Sequence, residues 1–170
     1  KCVHLFTFKS TKKNYRYRYI IEAEVFDIEF IAIKFYQKNH KLSKKKYQTL
    51  TNANEVRNIV NSCLQVIPIL LQIYPNHSFG AVGSRAISED EKFESEKKNQ
   101  RFVIYRAIML KKFKEDKRFA FVESEDNSAF AIINLSKLAR IEDLEFYVVD
   151  KYNEILDCMV EIYNEIHYPE

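Results

Sequence analysis

Apolar and polar side chains alternate from Tyr15 to Val25. Tyr15, Tyr17, Tyr19, Ile21, Ala23 and Val25 fall on one side; Arg16, Arg18, Ile20, Glu22 and Glu24 fall on the other. A period of two built from β-formers predicts a half-buried strand. Ile28 to Tyr36 predicts a second strand, joined to the first as a hairpin through Phe26-Asp27. His4 to Phe8 predicts an edge strand. Tyr47 to Leu50 predicts a short strand after a solvated basic loop, Lys41 to Lys46.

The period then changes. Asn52, with Glu55 three residues on, predicts a helix start of the capping-box kind, with Asn at the cap. Val56, Ile59, Val60, Cys63, Leu64, Ile67, Leu70 and Leu71 form one broad apolar helical face, and Tyr74-Pro75-Asn76 ends it. Pro68 lies inside this helix and predicts a kink. Ser78 to Gly83 predicts a short buried strand. A second helix is expected from about Lys98 to Lys114, with Phe102, Tyr105, Arg106, Met109 and Phe113 on one side. Arg118 to Glu123 and Ala129 to Leu135 predict a hairpin around residues 125–128. A third helix is expected from about Ile141 to His167. In it Val148, Tyr152, Ile155, Met159, Ile162 and Ile166 recur at intervals of 4, 3, 4, 3 and 4, a narrow seam of heptad period.

These elements predict an α+β fold: an antiparallel sheet covered by two helices, with a long C-terminal helix. Residues 1–137 would form the α+β domain. Residues 138–170 would either pack on it or form a homodimer through Tyr152, Ile155, Met159 and Ile162.

Composition supports a folded chain. Of 170 residues, 46% are hydrophobic and 30% charged, enough for a real core, and 2 Gly with 3 Pro exclude collagen-like and linker-rich classes. No charged residue lies between Arg57 and Arg85, but Asn58, Asn61, Gln65, Pro68 and Gln72 form one polar stripe. A core helix is therefore expected there and no membrane partner. Cys2, Cys63 and Cys158 are odd in number and widely spaced, so neither a disulfide framework nor a metal-ligand set is expected. Cys63 and Cys158 read as small buried hydrophobes. A reducing cytoplasm follows as the expected location.

Charge is unevenly laid out. Residues 1–52 carry twelve basic and four acidic side chains, a balance of +8; residues 53–135 balance to +1; residues 136–170 carry three and nine, or −6. Such asymmetry raises the question of an anionic partner, unless the two ends neutralise each other in the fold.

Two places could carry chemistry. Both glycines lie in Ser78-Phe79-Gly80-Ala81-Val82-Gly83-Ser84-Arg85, where backbone must come close to something or take positive φ. One reading is a backbone-lined anion pocket with Ser84 and Arg85 as donors, extended by Arg101, Tyr105 and Arg106. The other is close packing, with Arg106 paired to an acidic residue among Glu89, Asp90, Glu91 and Glu94. The segment is neither a Walker loop nor a dinucleotide fingerprint, and no cofactor is expected. The second place is the basic N-terminal sheet. Arg16 and Arg18 interleave with tyrosines, and Lys44, Lys45 and Lys46 follow in the loop. Cations beside aromatics suit a nucleic acid, unless the tyrosines face the core. His4, His40, His77 and His167 are scattered, without metal spacing.

Phe79-Gly80, Gly83, an acidic loop, then Gln100-Arg101-Phe102 and Tyr105-Arg106 form a pattern that resembles one in small bacterial proteins of the Bacteroidetes type. The resemblance spans about residues 30–135. It implies a bacterial cytoplasmic protein and carries no activity. The expected function is therefore a non-enzymatic binding module for nucleic acid or another anion. A self-assembling subunit built on the last helix, or an enzyme acting on a phosphorylated small molecule, are the alternatives.

Overall fold

The computed structural model describes residues 2–9, 17–48, 55–85 and 99–168. Six strands form one sheet: β1 (Cys2–Lys9), β2 (Arg18–Phe26), β3 (Phe30–Gln37), β4 (Ser78–Val82), β5 (Phe119–Ser124) and β6 (Ala129–Asn134), in the order β1-β2-β3-β4-β6-β5. Three long helices accompany it: α1 (Val56–Ile73), α2 (Gln100–Phe113) and α3 (Leu144–His167). The expected α+β class holds. Every neighbouring pair is antiparallel except β3–β4, which is parallel. Parallel neighbours need a long crossover, and the loop after β3 together with α1 supplies it. Pattern reading does not reveal this pair, because strand direction depends on the path between strands.

Alternation sorts the side chains into two cores. Tyr19, Ile21, Ala23 and Val25 of β2, Ile31 and Ile33 of β3, Phe79 of β4, and Phe130 and Ile132 of β6 pack under α1 and α2. Phe30, Ala32, Val82, Ala129, Ala131 and Ile133 face the other way and meet α3 through Ile155, Met159, Ile162 and Ile166. The molecule is thus a three-layer stack with helices on both faces of the sheet.

This corrects the expected dimer seam. Ile155, Met159 and Ile162 are buried against the sheet of their own chain, and Tyr152 packs beside them.

By length and composition α1 is apolar enough to cross a membrane. Its polar stripe, Asn58, Asn61, Gln65, Pro68 and Gln72, is exposed along its whole length, while Ile59, Val60, Cys63, Leu64, Ile67 and Leu70 lie in the core. Helix assignment runs unbroken through Pro68, whose missing N–H falls on the solvent side.

The remaining differences are local. Tyr47 and Gln48 lie in a turn, not a strand, and Leu50 and Asn52 lie outside the described residues. The residue capping α1 is Glu55, with no side-chain cap bond. The cap of α2 is Asn99, whose Oδ1 accepts from Phe102 N at 2.9 Å. In the β2–β3 hairpin the turn spans 27–29, with Glu29 at φ 56°. Cys63 is buried as expected, whereas Cys158 is half-buried.

Candidate functional site

β3 and β4 are paired over three residues only, Phe30–Ser78, Ile31–Phe79 and Ala32–Gly80. Beyond that the ladder stops, and the carboxyl ends of two parallel neighbours are where α/β sheets open a crevice. The chain also turns away differently from each end. After β3 it enters the basic loop 38–48; after β4 it runs through Gly83, Ser84 and Arg85. The amino end of α2 and the carboxyl end of α3 arrive at the same place, through Asn99 and His167.

A cavity of about 60 Å³ lies at this parting. Its walls are apolar and include Ile33, Phe35, Cys63, Leu64, Phe79 and Phe130; its polar liners are Lys34, Tyr47, Ser84, Arg101 and Tyr105. Burial pushes the Cys63 thiol well up, so it is not a nucleophile at neutral pH.

The polar liners are tied to the loop that closes over them. Arg101 Nη1 donates to the Tyr47 carbonyl and to Ser84 Oγ, and Nη2 to the Gln48 carbonyl at 3.2 Å. Ser84 Oγ donates to the Tyr47 carbonyl at 2.8 Å. Arg101 is therefore a clamp on loop 38–48. Arg101 and Tyr105, four residues apart on α2, share the face that lines the cavity.

On the opposite face of the sheet the same loop covers a second polar group. Glu22 accepts from the hydroxyls of Tyr47 and Tyr36, the latter at 3.0 Å, and Lys46 Nζ stands 3.4 Å away. The Lys46 ammonium also lies over the rings of Tyr36 and Tyr47, at 4.4 and 4.7 Å from their centroids. Burial, with the Glu22 charge beside it, pushes the Tyr36 phenol up to about 12, and the Tyr47 phenol rises further for the same reasons. Lys34 bonds Glu24 at 2.6 Å and Glu165 of α3 at 3.3 Å. Sequence reading places Glu22 and Glu24 on an outward face. They are enclosed because the loop and α3 fold over them, a long-range event with no local signature.

The expected site residues separate into three groups. Gly80 and Gly83 pack closely: a Cβ on Gly80 would stand 2.8 Å from the Phe30 ring, and one on Gly83 2.6 Å from Asn99 Oδ1. Neither has positive φ. Ser84, Arg85, Arg101 and Lys46 make internal bonds; the Arg85 amide donates to His167 Nε2 at 2.9 Å, and its side chain lies against Tyr168. Arg106 pairs with Glu123 of β5, at 2.9 Å through Nη2; Glu89, Asp90, Glu91 and Glu94 lie outside the described residues. Arg18, Lys44 and Lys45 are exposed. Arg16 lies outside the described residues.

No protein-family model, curated protein or solved structure matches this chain.

The exposed cations gather at the end of the sheet where β3 and β4 part. Lys9 is the register partner of Arg18. The β2–β3 pairing ends at Tyr19–Gln37, so Arg18 and Lys38 are next to each other one step beyond it. Lys9 and Arg18 thus face each other across a strand spacing of about 4.8 Å, and Lys38, opening a 3-10 turn directly after β3, extends the row. Lys41 and Lys44 follow, exposed, in the loop. Lys9, Arg18, Lys38, Lys41 and Lys44 have no ion-pair partner among the described residues. No group of His, Cys, Asp and Glu fit to hold a metal ion occurs among the described residues.

Proposed function

We propose that the protein is a non-enzymatic binding module that holds a nucleic acid by its phosphates at the cationic end of the sheet. The observation that carries this reading is the row Lys9–Arg18–Lys38. Like charges directly opposite in a sheet are destabilising. Here they stand side by side with no carboxylate between them among the described residues. An anion laid across the row removes that repulsion. The last segment meets the first fifty residues elsewhere, through Glu165 on Lys34 and through Lys137 and Lys151 on Glu29, and not at this row.

The tyrosines decide how such a partner is held. Tyr19 and Tyr36 are buried, and Tyr47 is bonded to Glu22. None of the three offers an open ring for base stacking. Contact runs through phosphates, and binding is indifferent to base sequence.

Fluorescence anisotropy with labelled single-stranded and duplex oligonucleotides over a potassium chloride series tests this. Five cations give a log–log salt slope of about −4 to −5 on duplex DNA. The triple substitution Lys38→Gln, Lys41→Gln, Lys44→Gln lowers affinity and flattens that slope by about 3. No binding at low salt, or a slope unmoved by the triple substitution, overturns the reading.

A further inference from the structure

The cavity where β3 and β4 part is not used by binding at the strand ends. One polar group inside it is conspicuous. Tyr105 is 6% exposed and lines the cavity, and its hydroxyl has no hydrogen-bond partner among the described residues. The hydroxyl is not enclosed by protein atoms but opens to the cavity, where a guest can reach it. The hydroxyl lies within electrostatic reach of the Arg101 guanidinium and the Cys63 thiol, and both residues line the same cavity. The ring of Tyr105 rests on Phe35, with centroids 5.8 Å apart.

The ligand's chemistry follows from the walls. Phenol and guanidinium are both donors, so the group facing them must accept hydrogen bonds. Beyond them lie Cys63, Leu64, Phe79 and Phe130, which suit an apolar body. A volume of about 60 Å³ gives room for roughly four to six water-sized groups, the size of a short-chain acid.

We propose that this cavity binds a small carboxylate with a short apolar chain. Its carboxylate accepts from the Tyr105 hydroxyl and the Arg101 guanidinium, and its body fills the space against Cys63, Leu64, Phe79 and Phe130. The site is independent of the strand-end cations. The nearest ammonium, that of Lys34, is already neutralised by Glu24 and Glu165.

Sodium butanoate is the probe, titrated into the intact protein by calorimetry, with 1-butanol as the uncharged comparison of similar size. Butanoate saturates the site, 1-butanol binds about tenfold or more weakly, and added salt changes the butanoate affinity little. Tyr105→Phe lowers butanoate affinity about tenfold while the ligand-free protein melts no lower, because the hydroxyl removed bonds nothing in the protein. Oligonucleotide binding is unchanged by this substitution, so the two sites stand or fall separately. The proposal is overturned by absence of saturable butanoate binding, by equal affinity for 1-butanol, or by a Tyr105→Phe protein that binds butanoate normally.

Discussion

At the scale of single residues, the scarcest type sits where space and not backbone conformation requires it. The described non-glycine residues at positive φ are Glu29 (φ 56°) and Ser128 (φ 46°), while both glycines keep ordinary φ. At Gly83 a Cβ would lie 2.7 Å from the Phe102 amide nitrogen as well as against Asn99 Oδ1. Asn99 also donates to the Gly83 carbonyl, and its own amide donates to Ser128 Oγ at 3.1 Å. Gly83→Ala must therefore push back the first turn of α2. The expected loss is about 1–3 kcal/mol, read as a lower urea midpoint at unchanged m-value. The glycine pair is legible in the sequence as a place of close approach. Asn99 is not, because nothing local marks that asparagine over its neighbours as the cap.

Glu29 and His77 set the response to acid. The Lys137 hydrogen bond, 2.5 Å long, holds Glu29 below its ordinary 4.5, with Lys137 and Lys151 charges helping. Burial lowers His77 below its ordinary 6.5, against the opposing pull of Glu29. In both cases the unfolded chain binds protons more readily, so stability falls as pH falls. The His77 contribution is complete above 6.5 and is lost as pH drops through its lower folded value. The Glu29 contribution is complete above 4.5 and is lost last. Urea midpoints measured from neutral to acid pH should decline in two stages. Glu29→Gln should shrink the lower stage, which Asp116 beside Arg118 shares, and deepen the upper, because His77 loses the opposing pull of Glu29; an unchanged profile in that variant refutes the assignment.

At the scale of elements, the periodicities at two and at 3.6 find the six strands and three long helices among the described residues, but not the short 3-10 turn Lys38–His40, and they misread residues 47–48. Strand periodicity also assigns Tyr19, Ile21, Ala23 and Val25 to the core, where the structure holds them. What periodicity leaves open is the partner of a stripe. The 4-3-4 seam of α3 suits another helix and a flat sheet equally well, since both present a line of small and branched side chains. In the structure its partners are Ala32, Ala129, Ala131, Val82 and Ile133. Their small size lets the helix lie close, and Ile155 and Met159 are almost fully buried in consequence. Met159→Lys should then unfold the chain, with loss of near-ultraviolet ellipticity and a cost of several kcal/mol. A folded protein of halved mass in sedimentation would instead restore the dimer seam.

At the scale of the whole molecule, the charge asymmetry is plain in composition, but its geometry is not. Lys9, Arg18 and Lys38 are separated by up to 29 positions in the chain, and only the antiparallel register brings them into one row. The acidic residues of α3 lie mostly on its exposed side, and Glu165 reaches across to Lys34.

The short β3–β4 junction has a mechanical meaning too. Strands β1, β2 and β3 form a meander and β4, β6 and β5 a second antiparallel trio, stitched by three residue pairs and clasped by helices front and back. A sheet joined so narrowly has a line of least resistance down its middle. Any load that pries the parting open would act on that line, and the two halves would give way along it before either one lost its own pairing.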